Sequence, residues 1–535
     1  YLRNIFHDKR NYFIMHNAKF DLTGTWKLLK LDYNKIKFHD TMIMSRLLRN
    51  TARDHSLDGL AYELGEYPKD LDKVVKNYGL NYADIPKKIM TKYQRSDVIR
   101  TMLLFRTFYP EIKKNKKLHI DYLEEIKTIK ATMKMEIEGI KIDVKSTKDL
   151  AHKLENDLYR ISNRLKNKTG HYINLSSGKQ IVNLLYENMG LPVIHKTDKG
   201  NPCTKKETIF ELRTHYKKTS KEFKVLDIIS EYRSYEHSLG MIKSYLKFKD
   251  KKDIIHTTIN TNQAKTGRQS SKDPNLMAVS KKENYFNPYI VPLRKLFIPT
   301  SPRKRTYLVD YSGIEMRLIL AVADEKKMIK VLESGGNMHS VACKIFFKDD
   351  FISKSESKIL YDAGKNAHFA IPYGATLPKI IIMLNIGEKK GRRGFFDYRD
   401  EFPKISNLST TTAKQAREQG YIETLFGRRL YIKHRKWYTA INYQIQGTGA
   451  QLLKRSENRI HKYINDNYVG KLRMVLPVHD EIILEADESI FNEEKRYTKD
   501  ISNLMTNFPE LKVPLEVEWS YSNTNWNDKQ DLILN

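Results

Sequence analysis

Asp310 closes the apolar run Tyr307-Leu308-Val309, and Glu315, Met316, Leu318, Ile319 and Leu320 then take up helical spacing. A buried strand that hands a carboxylate to the start of a helix can hold a metal ion beside a ligand. Read alone, Asp-x-Ser before a helix is equally a helix cap. Leu472 to Leu484 sets His479-Asp480-Glu481 between two β-rich apolar runs, so a hairpin with acids at its turn is expected. Carboxylates on a tight turn repel one another unless a cation sits there, although an ordinary Asp-containing turn has the same letters.

Lys365, Phe369 and Tyr373 recur at i, i+4 and i+8. On a helix they align an ammonium and two rings, which is the arrangement needed to grip a nucleotide; a core aromatic stripe is the alternative. Lys358 falls on a similar face, and Pro372 is expected to kink or end the helix just before Tyr373. In the Gly- and Ser-containing stretch Lys265 to Leu276, Arg268 carries a guanidinium fork able to bond minor-groove base edges or a phosphate. Asn442 and Gln446 share a helix face, and their amides can bond acceptors on any base pair.

These groups need several bodies to position them, and 535 residues allow about three or four domains. Lys plus Arg number 95 against 64 Asp plus Glu, a formal charge of +31. Such an excess calls for a polyanion, and nucleic acid is the expected partner over an anionic membrane surface. No apolar stretch is long enough to span a membrane, and no secretory signal opens the sequence. Cys203 and Cys343 form neither a metal-binding spacing nor a disulfide framework, which fits a reducing setting. The sequence begins at Tyr1 with letters that read as mid-domain, so an upstream segment is expected.

Residues 1–117 alternate short apolar strands with helical patterns. Asn11 to Met15 runs into His16-Asn17-Ala18-Lys19-Phe20-Asp21, and Tyr93 and Asp97 later share a helix face. Residues 118–255 are Lys-rich, with long amphipathic helices at Asp149–Leu165 and Val225–Phe248 that could lay cations along a duplex backbone.

Several of these motifs resemble known families. Asn17 to Asp21 with Tyr93 and Asp97 resembles the second and third motifs of the proofreading 3′–5′ exonuclease fold. Glu138-Gly139-Ile140-Lys141-Ile142-Asp143, Asn174 to Gln180 and Glu231-Tyr232-Arg233 resemble the thumb of the family A DNA polymerases, the bacterial DNA polymerase I group, here of a phage type. Thr266-Gly267-Arg268 through Leu276, Glu423 to Tyr431, Asn442 to Thr448, His479-Asp480-Glu481 and Val513 to Trp526 continue the likeness in family order.

The resemblance implies α/β and α+β multidomain architecture: a partial ribonuclease H-like exonuclease domain, then a right-hand polymerase with an antiparallel-sheet palm and helical thumb and fingers. The implied boundaries are 1–117 exonuclease-like, 118–255 thumb, 256–325 and 434–535 palm, and 326–433 fingers. Two Mg²⁺ ions are expected on Asp310 and Asp480, with Lys365 and Glu481 completing the catalytic set. Glu315, Lys365, Phe369, Tyr373, Tyr311 and Lys358 are the expected dNTP contacts. Glu315 and Tyr373 would exclude a ribose 2′-hydroxyl, and Phe369 would disfavour dideoxynucleotides. Arg268, Arg233, Asn442, Gln446, His479 and Arg429 are the expected contacts to primer-template DNA.

Asp21, Tyr93 and Asp97 would be an exonuclease remnant. That family also needs an upstream Asp-x-Glu strand, so no 3′-end degradation is expected of the sequence as it stands. Departures stand at Tyr361 (family Arg), Met277 (Gln), Tyr438 (Arg) and Gly313 (Gln). The implied activity is dNTP addition for replication or repair, with a catalytically weakened DNA-binding protein and a single-subunit RNA polymerase as the rival readings. Replisome or processivity proteins are possible partners. The implied location is the cytoplasm of a bacterial or phage-infected cell, or an organelle with an AT-rich genome.

Overall fold

The computed structural model describes residues 2–65, 75, 79, 81–279 and 288–533. In the N-terminal body, strands Phe13–Met15 and Phe38–Asp40 pair in parallel, and helices Ala18–Leu29, Thr41–Leu48 and Lys87–Lys114 surround them. Asp40 ties two helix starts together, since its carboxylate accepts from the backbone N–H of Ala18 and of Met42, each at 2.8 Å. Both are orphan donors that a capping acid satisfies. Leu22, Ile36, Met44, Leu104 and Phe108 fill the core, and helix Lys116–Glu138 adds Leu118, Tyr122, Ile129 and Met133 to it.

Helices Val144–Thr169 and Lys221–Phe248 pack on each other and enclose a separate apolar cluster that includes Ile161, Leu165, Leu226 and Ile229. The chain enters this part through Gly139, whose φ is +63°; a Cβ there would meet the Ile255 carbonyl oxygen at 2.5 Å. Only glycine suits both demands.

The palm is a five-stranded antiparallel sheet in the order Leu472–Val478, Glu481–Asp487, Lys304–Tyr311, Val517–Ser522 and Gln530–Leu532. Tyr307, Leu308 and Val309 are all buried, which explains their unbroken apolar run at the centre of the sheet. Helix Ala440–Asn467 packs against this region, and helix Ile314–Ala323 follows directly from the central strand. In the stretch expected to be the fingers, helices Met338–Phe347, Lys358–Ala370, Leu377–Leu384, Glu388–Glu401 and Leu408–Gln419 are continuous with the sheet's apolar core through Phe346, Leu384 and Tyr398.

Buried charges join the N-terminal body to the palm. Arg428 donates from Nε to Asp121 at 2.7 Å and from Nη2 to Glu125; Lys454 reaches Glu125 at 2.6 Å, and Gln451 donates to Asp121 at 2.6 Å. All five side chains are at most 2% exposed. Removing one partner from such a set strands a buried charge, so Arg428→Met should cost about 3–5 kcal/mol in urea unfolding. A loss under about 1 kcal/mol would show that the network contributes little beyond packing.

Candidate active site between palm and fingers

Asp310 lies at the end of the central palm strand, paired with Glu481 on one side and Glu518 on the other. Directly paired residues project to the same face, so three carboxylates share one row. Asp480 sits beside that row in the two-residue turn His479-Asp480, where His479 adopts φ +60°. The Tyr311 N–H donates to the Asp480 carbonyl at 3.3 Å, which fixes the turn against the strand end. Asp310 and Asp480 are half-buried, whereas His479 is exposed.

A protein cation answers the repulsion of this row. The Arg294 guanidinium is 3.4 Å from Glu481 Oε1, stacks 4.2 Å from the Trp526 ring and also feels the charge of Asp310. Lys529 stands 3.6 Å from the other Glu481 oxygen. Glu481 is thus buried and doubly paired. Among the described residues no group of three or more His, Cys, Asp or Glu forms a protein-only metal cage. Two carboxylates are nevertheless the hard-oxygen donor set that fits Mg²⁺, which keeps other positions for water and substrate phosphate.

A cavity of about 560 Å³ opens in front of the acids, lined by Arg268, Glu315, Gln446, His479 and Asp480 among others. The fingers contribute Tyr373, whose hydroxyl donates to the Glu315 carboxylate. Arg268 is close enough for its charge to act on Tyr373. Lys365 is exposed on helix Lys358–Ala370 and Phe369 is half-buried. As expected from Pro372, the helix stops at Ala370, so Tyr373 lies beyond it and only Lys365 and Phe369 keep the helical spacing.

Beside them the His339 ring lies 5.1 Å from that of Phe369, tilted by 36°, and holds its Nδ1 3.0 Å from that of His368. Burial, with the charges of Lys365 and Lys354, pushes His339 down to about 4, so its imidazole is neutral near pH 7. Tyr361 is buried, and the Lys354 ammonium sits 5.5 Å over its ring. Lys358 is exposed at the start of the same helix as Lys365.

Tyr311 has its hydroxyl committed within the protein. It is buried, and its hydroxyl donates to the Met505 carbonyl at 2.6 Å and meets Ser456 Oγ at 2.7 Å. Alternation along the strand turns its side chain away from Asp310, yet Tyr311 is among the residues that line the cavity. Of the expected DNA contacts, Arg268, Gln446 and His479 share the cavity, and Asn442 is exposed one helical turn before Gln446. Arg429 pairs with Glu423 at 2.9 Å and stacks on Tyr421. Arg233 is half-buried and donates to the Thr204 carbonyl within the thumb.

Asp21 lines a second cavity, of about 690 Å³, between helix Ala18–Leu29 and the segment 258–263. Burial and the Asp40 charge push its carboxyl up to about 6. Tyr93 and Asp97, on helix Lys87–Lys114, are not among the residues lining that cavity. Arg294, His339, Lys354 and Glu518 were missed in the sequence reading. Each gains its place from chain folding far away, and only Glu518, in the apolar-acid alternation Val517-Glu518-Trp519, carried a local signal.

The architecture is that of a right-hand polymerase preceded by an exonuclease-type domain. Residues 144–528 match DNA polymerase family A, and residues 1–113 match the 3′-5′ exonuclease family. The chain belongs to DNA polymerase family A. It is 27% identical over 518 residues to DNA polymerase I of Caldicellulosiruptor bescii, covering 93% of this chain and 56% of that protein. It is 26% identical over 508 residues to DNA polymerase I of Pseudomonas aeruginosa, covering 92% and 54%. The chain thus spans about half the length of the curated relatives it matches. In fold it is similar to the POL domain of Pol1 from M. smegmatis, solved in complex with DNA primer-template and dNTP. That match has a TM-score of 0.79 at 23% identity and covers 98% of this chain and 88% of that one.

Proposed function

We propose that the chain is a template-directed DNA polymerase, adding dNTPs to a primer 3′-hydroxyl. The observation that carries the reading is a cavity lined by Asp480 and Glu315, with Tyr373 bonded to Glu315 and Asp310 at the strand end against the Asp480 turn. Two Mg²⁺ ions on Asp310 and Asp480 would supply the charge neutralisation that phosphoryl transfer needs. Lys365 faces the triphosphate and gives a proton to the leaving pyrophosphate. Phe369 packs beneath the sugar and base. Arg268, Gln446 and His479 hold the primer terminus and its base pair in the minor groove. The N-terminal body braces the palm through the Arg428 charges.

Glu315 and Tyr373, bonded to one another, form the wall against which a 2′-hydroxyl would clash. Glu315→Ala should therefore raise ribonucleotide incorporation relative to dNTP by about 10- to 100-fold, read as the ratio of kcat/KM values. Unchanged sugar selectivity would remove this role.

One observation favours a second reading, a polymerase fold that binds DNA with weak chemistry: Tyr361 stands where the family has Arg. Lys354 over the Tyr361 ring argues for retained charge there. Primer extension with either dNTPs or NTPs separates the readings. Extension with dNTPs alone supports the proposal, duplex binding without extension supports the second reading, and preferential NTP use supports an RNA polymerase. Among the described residues no helix is long and apolar enough to cross a membrane.

A further inference from the structure

The loop that presents Arg268 joins the paired strands Thr258–Asn260 and Ser270–Lys272 and is held on both sides of the arginine. On one side is Gly267, at φ +79°, where a Cβ would fall 2.1 Å from Arg428 Nη1. The buried guanidinium therefore occupies the space that any side chain would need. On the other side, Gln269 Nε2 donates to Glu457 Oε2 at 2.9 Å. Glu457 is 0% exposed on the palm helix Ala440–Asn467.

The second oxygens of this pair, Gln269 Oε1 and Glu457 Oε1, are both buried and both lack a hydrogen-bond partner. Two buried acceptors in one amide–carboxyl pair are costly if the acid is ionised. One proton on Glu457 Oε1 would satisfy both at once, by letting the acid donate to Gln269 Oε1 and close a two-bond ring. We propose that Glu457 is a positioning residue: its carboxyl, carrying a proton, locks Gln269 and so fixes Arg268 for gripping primer-template DNA. The proposal rests on the polymerase reading above.

The surroundings agree with a neutral acid. Lys454 faces Glu457 from its own helix, Glu125 from helix Lys116–Glu138, and Lys19 from helix Ala18–Leu29. Lys454 is engaged by Glu125 at 2.6 Å and Lys19 by Glu136 at 2.5 Å, so neither cation is committed to Glu457. Burial pushes the Glu457 carboxyl up to about 7, with Glu125 adding to the rise and the Gln269 amide, Lys454 and Lys19 opposing it. An acid whose pKa is raised is neutral below that value. If the ring fixes the loop, DNA affinity is therefore full at low pH and falls as pH rises through about 7.

The test is the equilibrium binding of a fluorescent primer-template, without dNTP or metal, from about pH 6 to about pH 8.5. In the unmodified chain affinity should fall about tenfold across that range, the scale expected for one linked proton. Glu457→Gln keeps both bonds as an amide pair with nothing to titrate, so its affinity should change less than about twofold from this source. Glu457→Leu should bind about tenfold more weakly at the acid end, where the ring is otherwise intact. In infrared difference spectra at acid pH, subtracting Glu457→Gln from the unmodified chain should leave the C=O stretch of one protonated carboxyl. A purely structural role would alter thermal stability but not produce this split in DNA affinity. Parallel pH profiles for the unmodified chain and Glu457→Gln, or no protonated-carboxyl band, would overturn the proposal. Failure to bind primer-template at any pH would instead overturn the polymerase reading.

Discussion

Asp310→Asn and Asp480→Asn should each lower single-turnover nucleotide addition by at least about 10³-fold, the scale on which removal of an electrostatic stabiliser acts. The substitution keeps shape and removes only the charge. Primer-template affinity should move less than about threefold, because the DNA contacts Arg268, Gln446 and His479 are untouched. A second readout separates function from structure. Asp310 shares a row with Glu481 and Glu518, answered in this part of the sheet by Arg294 and Lys529. Taking one negative charge from that row relieves repulsion, so Asp310→Asn should unfold at the same temperature as the unmodified chain or a higher one. Extension within about tenfold of the unmodified rate would contradict the assignment of these two acids.

Lys365→Ala is expected to reduce kcat/KM for dNTP by about 10²- to 10³-fold, through both a raised KM and a lowered kcat. The side chain is exposed and, among the described residues, makes no ion pair, so its loss should leave stability within about 0.5 kcal/mol. His339 is held down to about 4 in part by this same ammonium. In Lys365→Ala the His339 pKa should therefore rise, which NMR titration of the imidazole can follow. Lys365→Arg should restore KM more fully than kcat, because a guanidinium carries the charge but does not give up a proton. A variant with KM and kcat both within about twofold of the unmodified chain would remove Lys365 from the nucleotide site.

What could be read in the letters was what local geometry decides. The run Tyr307-Leu308-Val309 is a strand because both its faces are covered, and Asp310 is at its end. The two-residue turn at His479-Asp480 and the helix stop before Pro372 follow from patterning and ring geometry within a few residues. Strand alternation placed the Tyr311 side chain opposite Asp310, but only the fold shows its hydroxyl bonded to the Met505 carbonyl. Arg428 and Arg429 are neighbours with identical chemistry. The first is fully buried against Asp121 and Glu125, more than three hundred residues earlier in the chain, and the second is on the hairpin surface. No local pattern distinguishes them, because the choice is made by helix Lys116–Glu138 packing on the palm. Arg294 was invisible for the same reason: its meaning comes from Glu481 and Trp526. The replacement of the family's Arg by Tyr361 reads as a lost charge, and only the fold brings Lys354 over that ring.

The central claim is that this cleft joins a nucleotide to a primer under the direction of a template. Its most direct test is a single-turnover quench with four primer-templates that differ only in the first unpaired template base, each offered the four dNTPs separately with Mg²⁺. The account predicts that each template selects its complementary dNTP by at least about 10³-fold in kcat/KM. Tight binding of all four duplexes with no primer extension, or extension that ignores the template base, would contradict it.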